Sequence, residues 1–425
     1  MNRNPFSVLR IVIICLSLIF VGIAATIFSA RAVEPSIRHD GRAGLYVRVG
    51  KSIDELSNSS PKIKQGKEGK KHKKRKKQED ATEMIQNHPL VDAVVLEVPW
   101  SHIELQKGVY HFDSVIQEVN RWGKAGKGVV LNFPLYGQSV NDPQTPAWIY
   151  EQPGVRAISF HGGGTAKGQM IRIPAVWDKG FAEQYVDPRV EALAKVLDGN
   201  PNIWYIMPGL GHIGNLNAQP SKEGAPALLH AGWTPEKWSD YTRRTIEIYQ
   251  KHFLRTPLVI KSSGVLIGKS RTNPYQSEAA ALHTELGKRG VALIHFGLEA
   301  EKEPMLKVYK NIEGFIPYAR QGITRLGLGD DWPLWVPESR RKKGPTQGYD
   351  EDNLKKILDY AFGGIDGLPE TPTTILFCQE PEILASYPDA PDYRPQVAEV
   401  LKKARERLKE NERAISSIKS SRGKP

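Results

Sequence analysis

Acidic side chains follow three of the short apolar runs in this sequence, and their positions suit them to chemistry. Glu299 comes after the run that ends in HF, Asp330 after RLGLG, and Glu380 after FCQ. A carboxyl group can act as a general acid, a general base or a nucleophile when a second one faces it across a bond. These residues therefore favour a hydrolytic reaction, provided that the fold brings them to one place.

Eight apolar or β-branched runs recur along the chain, and amphipathic segments separate them. Between the second and third runs, for example, Val115, Ile116, Val119 and Trp122 share one face of a helix that Asp113 can cap. Further helices are predicted from Thr234-Pro235, where Pro takes a favoured first helical position, and from Pro395 onward. This alternation predicts an α/β fold, namely a closed (β/α)8 TIM barrel. The predicted strands are Ala43–Val49, Val91–Val98, Gly128–Phe133, Asn202–Met207, Leu258–Ile260, Val291–Phe296, Ile323–Leu328 and Thr373–Cys378.

An open, doubly wound sheet is the rival architecture. Eight units in a row favour the barrel, and so does the lack of a Gly-x-Gly-x-x-Gly sequence after the first run. In a (β/α)8 barrel the chemistry is built on the loops that follow the strands. We therefore expect the three acids, together with the loop after the second strand, to lie at one end of the barrel.

The loop after the second strand has a definite spacing of aromatic and acidic residues. Its sequence, VPWSHIELQKGVYHFD, resembles the W-x-x-x-E-x-x-x-G-x-Y-x-F-D signature of clan A glycoside hydrolases, especially the family 42 β-galactosidase type. GKGVVLNFP with TPAWIY resembles the third strand and Thr-Pro-x-Trp loop of that family. IPAVWDKGFAEQYVDPRVEALAKVL resembles its helix before the fourth strand. The resemblance covers residues 43–250 and implies a barrel that acts on carbohydrate.

The same resemblance exposes a departure after the fourth strand, where relatives carry a catalytic glutamate. This chain has Asn215 in that loop, and the next acid is Glu223. Asn215 is expected to hydrogen-bond a sugar hydroxyl, with His212 beside it in the substrate site. His212 and His295 both stand at strand ends, but without an evident carboxylate partner they make a poor metal site. We expect no metal and no organic cofactor.

The remaining catalytic assignments also follow from the resemblance. A retaining glycosidase uses one carboxyl group as acid and another as nucleophile, about 5–5.5 Å apart. Relatives place the second of these at the end of the seventh strand, where this chain has Asp330 and Asp331. Asp330 would then be the nucleophile or base, and Glu299 or Glu380 would be the acid.

Tryptophans are concentrated in the inferred loops after the strands. Indole rings stack on the apolar faces of sugars, so such loops are typical of a carbohydrate site. We expect Trp100, Trp148 and Trp332 to stack on substrate. Glu104 is interpreted as a structural hydrogen-bond acceptor. The tryptophans are Trp100, Trp148, Trp177, Trp233, Trp332 and Trp335.

The formal charge of +12 comes from two segments. Residues 62–80 contribute +7 and residues 401–425 contribute +6, so everything else sums to −1. Basicity confined to such segments argues against a nucleic-acid-binding face. We interpret residues 58–80 as a disordered insertion, and residues 62–77 as a possible attachment to an anionic envelope polymer or lipid surface.

The N-terminus has the features of an export segment. Arg3 and Arg10 precede an uncharged stretch and the small-residue ending ARA, which is typical of a signal peptide, but the stretch is also long enough to span a bilayer. Residues 1–32 are thus a signal peptide or a membrane anchor, and the barrel is expected outside the cytoplasm. Residues 33–400 form the predicted barrel domain, and residues 401–425 a basic C-terminal helix or tail. Outside residues 1–32 the sequence has one cysteine, Cys378, so no internal disulfide is expected.

The sequence favours a glycoside hydrolase and leaves two alternatives open. A glycoside hydrolase would cleave an extracellular or envelope oligosaccharide or polysaccharide with paired carboxylates. A barrel that keeps the sugar cleft without turnover would bind carbohydrate, which Asn215 in place of glutamate favours. A polyanion-binding envelope protein would use residues 62–77 and the basic tail, and its binding would weaken steeply with salt.

Overall fold

The protein is represented by a computed structural model, and the strands of its main sheet correspond to the eight predicted runs. Residues 39, 41–52, 79–137, 144–162, 168–219, 221, 223–268, 275–330, 333–336 and 350–422 are described. The strands are β1 Gly44–Ser52, β2 Val91–Glu97, β3 Gly128–Phe133, β4 Ala157–His161, β5 Met170–Pro174, β6 Ile203–Pro208, β7 Val259–Ser262, β8 Ala292–Phe296, β9 Leu326–Gly329 and β10 Thr373–Cys378.

Eight of these strands form one parallel sheet that closes on itself. The hydrogen-bonded order is β6-β3-β2-β1-β10-β9-β8-β7. The two ends of this order meet where Ile206 forms a parallel bridge with Leu258 and its N–H donates to the carbonyl of Pro257 at 3.0 Å. The sheet is therefore a barrel, and the predicted (β/α)8 fold is confirmed.

Helices connect the barrel strands, as the alternation predicted. Helix α6 begins as expected: Thr234 accepts a hydrogen bond from the N–H of Lys237, and Pro235 is the first helical residue. Asp113 does not cap α3 but is its first residue, after Phe112 at the N-cap. The helices are α1 79–87, α2 Trp100–Ile103, α3 Asp113–Lys124, α4 Asp187–Leu197, α5 Gly224–His230, α6 Pro235–His252, α7 Gln276–Lys288, α8 Lys302–Ile312, α9 Ile316–Arg320, α10 Glu351–Phe362, α11 Glu380–Ala385 and α12 Pro395–Arg422.

A small hairpin interrupts the connection between β3 and β6. Strands β4 and β5 pair antiparallel, and their buried side chains alternate with exposed ones along both strands. Ile158 pairs with Ile173, and Phe160 with Ile171, which buries one face of the hairpin. This element was not predicted, because each five-residue strand lies in a Gly/Pro-rich stretch that resembles a loop.

The barrel interior is filled by every second residue of its strands, since side chains alternate across a sheet. These residues form a cluster separate from the layer that lies between the strands and the helices. Phe296 and Phe377 lie in it with ring centroids 5.0 Å apart. The interior residues are Tyr46, Ala93, Val95, Val130, Tyr205, Met207, Val259, Ala292, Ile294, Phe296, Ile375 and Phe377.

The last helix, α12, is anchored to the barrel by charged groups that are largely buried. Arg325 makes a two-pronged ion pair with Glu412, at 2.7 and 2.8 Å, with side chains only 1% and 7% exposed. Arg405 does the same with Asp92, at 2.8 and 2.9 Å. Removing one member of a buried pair of this kind costs about 3–5 kcal/mol, so the helix is an integral part of the barrel unit. The amphipathic helix predicted from Pro395 onward is confirmed.

Three predictions fall wholly or largely on parts of the chain outside the described residues. These are the export segment of residues 1–32, the basic insertion of residues 58–80 apart from its last two residues in α1, and the end of the tail beyond residue 422. Of the helices that the structure describes, none is long and apolar enough to cross a membrane. Cys378 is buried and is not in a disulfide.

Candidate functional site

Five polar side chains point into the barrel at the carboxyl ends of its strands, and we call them the mouth cluster: Arg48, Glu97, Asn132, Lys261 and Gln379. Each stands two residues after a residue of the interior cluster, so its side chain leaves the backbone on the same side. Gln379 follows β10 with extended backbone angles, which continues the alternation by one more residue. The interior residues that precede the mouth cluster are Tyr46, Val95, Val130, Val259 and Phe377.

An ion pair between neighbouring strands is the most polar feature of the mouth. Arg48 of β1 contacts the carboxylate of Glu97 of β2 at 2.6 Å. The two side chains are 30% and 17% exposed, so the pair is sheltered but reachable from solvent. A guanidinium and a carboxylate at this distance form a charge-assisted hydrogen bond that fixes both groups. The mouth thus presents a preorganised donor and acceptor side by side.

The floor beneath the mouth is aromatic. Lys261 is buried, and its ammonium nitrogen lies 4.9 Å from the centroid of the Phe296 ring. Phe296 in turn packs against Phe377. A cation over an aromatic face in a desolvated setting is stabilised by about 2 kcal/mol. The ammonium group of Lys261 and the ring of Phe296 thus lie together at the base of the mouth cluster.

Asn132 fixes the loop after β6, which is strained. Its amide nitrogen donates to the carbonyl of Ile213 at 3.3 Å, and its side chain is buried. Ile213 has φ +52°, a conformation that a β-branched residue rarely adopts, and Gly214 follows with φ +75°. A Cβ atom on Gly214 would lie 2.1 Å from Oδ1 of Asn132, so only glycine fits there. Strain held in place by neighbouring groups is common at functional sites.

The residues predicted around the fourth strand are part of this same loop. Asn215 forms a parallel bridge with Lys261, and its side-chain oxygen accepts from the N–H of Asn217 at 3.0 Å. His212 pairs with Tyr136 in a second bridge, and both His212 and Asn215 are buried. The structure therefore brings Asn215 next to the mouth cluster, with its oxygen engaged in a turn of its own backbone.

Asp330 lies at the rim of the mouth, directly after β9. Its carbonyl oxygen accepts a hydrogen bond from the side-chain amide of Gln379 at 2.7 Å. A second carboxyl group is close by, because Asp330 acts on the pKa of Glu382. Burial raises that pKa to about 8, and the charge of Asp330 acts in the same direction. Glu382 is fully buried and accepts from the N–H of Gln379 at 2.6 Å. Two carboxyl groups of unlike environment thus flank Gln379.

The other predicted acids also lie at this end of the barrel. Glu299 follows β8, and its N–H donates to the sulfur of Met305 at 3.5 Å. Glu380 is the first residue of α11, immediately after Gln379. Both side chains are half-buried. Trp332, predicted to stack on sugar, falls outside the described residues together with Asp331.

Trp100 supports the loop after β2 from beneath. Its indole N–H donates to Glu104 at 2.6 Å, and Glu104 also accepts from the N–H of Gly108 at 2.8 Å. The structural role expected for Glu104 is thus confirmed. Trp148 packs edge-on against Trp100, and its own N–H donates to the carbonyl of Glu104. Trp100 is fully buried and Trp148 half-buried, so stacking of a sugar on Trp100 would require that ring to become exposed.

The remaining predicted tryptophans of the described loops are also buried. Trp177 and Trp233 both pack against Trp238 of α6, at centroid distances of 6.4 and 6.5 Å. Trp335 is 1% exposed. In this conformation these three rings stabilise the loops rather than present a face to solvent.

His295 faces away from the barrel axis, toward the helices. Its ring packs edge-on against His283, and its Nε2 lies 3.3 Å from the amide of Asn311. His283 contacts the hydroxyl of Ser262 at 2.8 Å, and burial lowers the pKa of both imidazoles well below the ordinary value. Within the described ranges, no group of three His, Cys, Asp or Glu residues is arranged to hold a metal ion.

None of the mouth-cluster residues is predicted from the sequence, because the predicted site residues lie in the loops after the strands. A signal was present: a charged residue interrupts the apolar alternation in GLYVRVG, in VVLEV and in LVIKS. In a strand with alternating burial, a charge in phase with the interior residues points to a barrel mouth or a buried pair. Arg48, Glu97 and Lys261 carry that signal.

Comparison with solved structures finds barrels of the same fold class. The catalytic domain of β-amylase from Paenibacillus polymyxa aligns over 85% of this chain and 98% of its own length, with 12% sequence identity and a TM-score of 0.52. β-Galactosidase from Marinomonas ef1 aligns over 85% and 59%, with 13% identity and a TM-score of 0.48. Xylanase 10B from Thermotoga maritima aligns over 86% and 95%, with 12% identity and a TM-score of 0.45.

At such low identity the β-amylase likeness establishes the fold alone, a (β/α)8 barrel. No protein-family model matches the sequence. A search of curated proteins finds no match either. The particular resemblance to family 42 therefore remains a prediction from the sequence.

The raised pKa of Glu382 makes stability depend on pH. Because the folded state holds this proton up to about pH 8, whereas the ordinary value is 4.5, the stabilisation is complete below pH 4.5 and is lost as the pH rises through 8. Glu382→Gln keeps a neutral group there. We expect the melting temperature of the variant, relative to that of the wild type, to rise as the pH increases from 5 to 8. Circular dichroism measures both. Glu370→Gln, at an exposed site, is the matched control. A constant difference between E382Q and wild type across this range would contradict the protonated state.

Proposed function

We propose that this protein is a carbohydrate-binding barrel of the glycoside hydrolase type, and that the mouth cluster holds the glycan. The observation that carries the proposal is the Arg48–Glu97 ion pair, with Asn132, Lys261 and Gln379 around it at the carboxyl ends of the strands. Ligands of (β/α)8 barrels bind at that end. The known activities of the β-amylase, β-galactosidase and xylanase that share its topology suggest the class of ligand.

The chemistry of the cluster suits a polyhydroxylated ligand. Vicinal sugar hydroxyls both donate and accept hydrogen bonds, and the mouth offers a guanidinium, an ammonium, two amides and a carboxylate at fixed positions. The ion pair and the aromatic floor hold these groups before any ligand arrives, so little conformational entropy is lost on binding.

Binding can be tested by titration calorimetry with a panel of gluco-, xylo- and galacto-oligosaccharides of both anomeric linkages. We expect at least one ligand to bind the wild type, and Glu97→Gln and Arg48→Met each to weaken it at least tenfold, because each variant removes a charged hydrogen-bonding partner. Glu236 is an exposed residue of α6 and does not belong to the mouth cluster, so Glu236→Gln should bind as the wild type does. Unchanged affinity in folded E97Q and R48M would place the ligand elsewhere.

Hydrolysis of the bound glycan is the second candidate, and the position of Asp330 favours it. Asp330 follows β9 at the rim and is tied to Gln379 of the mouth cluster. In this reaction Asp330 acts as nucleophile or base, and Glu299 or Glu380 as acid. Glu97 stabilises positive charge that develops on the sugar ring. These roles need carboxyl groups that face each other across the bond.

Turnover should be assayed with aryl glycosides and envelope polysaccharides, using residues 33–425. In a hydrolase, Asp330→Asn should lower kcat at least a hundredfold with little change in KM, because a nucleophile acts on the reacting bond and contributes little to ground-state binding. Activity equal to that of the wild type in D330N would assign the nucleophile to another residue. No turnover with any substrate, beside measurable binding, would leave the barrel a binding protein.

We also propose, from the sequence alone, that the barrel works outside the cytoplasm and that residues 62–77 attract an anionic envelope polymer or lipid surface. N-terminal sequencing of the protein from cell fractions separates the cases. A start at Val33 means a cleaved signal peptide, an intact N-terminus in the membrane fraction means an anchor, and an intact chain in the cytosol would overturn the proposal. Deleting residues 62–77 should abolish any salt-sensitive binding to anionic vesicles.

A further inference from the structure

A buried arginine lies beneath the mouth, between two helices. Arg189 belongs to the first turn of α4 and is only 1% exposed. Its guanidinium carbon lies 4.6 Å from the centroid of the Trp100 ring, so it covers one face of that indole. Trp100 is the residue that supports the loop after β2 through Glu104. Arg189 thus supports the same loop indirectly, through its contact with Trp100.

The guanidinium has no anionic partner in the described part of the chain. None of its three nitrogens makes a hydrogen bond of ordinary geometry there, and the neutral hydroxyl of Tyr249 lies near it. Glu104, which accepts from Trp100 and Gly108, makes no ion pair with Arg189 in the part of the chain that the structure describes. A guanidinium stays charged inside a protein, and an uncompensated buried charge costs several kcal/mol. Stacking on Trp100 offsets part of that cost but supplies no countercharge and no acceptor in the plane of the guanidinium.

The neighbouring helix, α6, adds hydroxyl groups that are buried as the guanidinium is. Burial raises the pKa of Tyr249, and the charge of Arg189 opposes that rise, which places the two groups close together. Burial also raises the pKa of Tyr241, and the charge of Arg189 again opposes the rise. Tyr241 precedes Tyr249 by about two turns of α6. The hydroxyls of Tyr249, Thr245 and Thr242 are all buried, and none makes a hydrogen bond of ordinary geometry to the residues described. Tyr249 lies near Arg189 and Thr245 near Tyr241, but no anion is among these groups. Positions 242, 245 and 249 lie on one side of a helix.

We infer that a small inorganic anion of the charge and size of chloride binds between α4 and α6, against the guanidinium of Arg189 and the hydroxyl of Tyr249. The cluster is rich in donors and lacks an anionic acceptor, and one monovalent anion supplies both that acceptor and the countercharge. A divalent oxyanion would bring excess charge to a place with one cation. The bound anion holds Arg189 on Trp100 and so stabilises the loop after β2. This site is independent of the glycan proposal.

The test compares the melting temperature of the full chain in sodium chloride and in sodium gluconate at equal ionic strength. Gluconate is too large for a fully buried site, so an anion that binds the native state alone should raise the melting temperature in chloride, with saturation. The Arg189→Met variant should melt at the same temperature in both salts. Arg243→Met, which removes a half-exposed arginine of α6 paired with Glu285, should keep the chloride effect. Equal melting of the wild type in both salts, or a chloride effect retained in R189M, would overturn the inference.

A second measurement decides the matter even if R189M fails to fold. Crystals of the wild type soaked in sodium bromide should show an anomalous peak beside Arg189. Density of a water molecule there, without anomalous signal, would mean that solvent alone satisfies the guanidinium and that the site binds no anion.

Discussion

Closure of the parallel sheet between β6 and β7 is the constraint on which the rest of the structure depends. Once Ile206 meets Leu258, every barrel strand has two neighbours and no edge remains to be covered. Closure also forces one face of each strand inward. Most side chains on the inward face are apolar. Those at the carboxyl ends of the strands are polar, because no further layer of interior side chains covers them. The Arg48–Glu97 pair forms because β1 and β2 are neighbours in the sheet, and closure makes the face that carries it an inner one.

The loops around that rim are held by contacts with the barrel and with one another. Asn132 grips the strained turn at Ile213, and the indole of Trp100 orders its loop through Glu104. In each case a polar side chain binds backbone or a neighbouring carboxylate, which fixes the loop without occupying the mouth. Arg189 extends this support one layer deeper. The ring of Trp100 is fully buried, so its bond to Glu104 is shielded from water and strengthened.

The carboxyl groups of this barrel differ from one another because their surroundings differ. Glu97 is paired with a guanidinium at the mouth, whereas Glu382 is buried at the base of α11 and keeps its proton far above the ordinary range. Asp330 lies near Glu382 and is linked through its backbone to Gln379. A glycosidase depends on such a division between ionised and protonated carboxyl groups, while a binding protein needs only the fixed polar rim. The barrel shares features with both.

The sequence by itself determined the order of elements. Apolar runs and amphipathic segments gave all eight barrel strands, the helix from Pro235 and the helix from Pro395, because burial periodicity is written locally along the chain. It failed for β4 and β5, whose strands are short and pack mainly on each other. The site was decided by tertiary structure. Arg48 and Glu97 are 49 residues apart, and the pairing of β1 with β2 brings them to 2.6 Å. Trp100 has the residue type of a sugar-stacking group, yet packing buries it, because exposure is a property of the assembled layers and not of the residue.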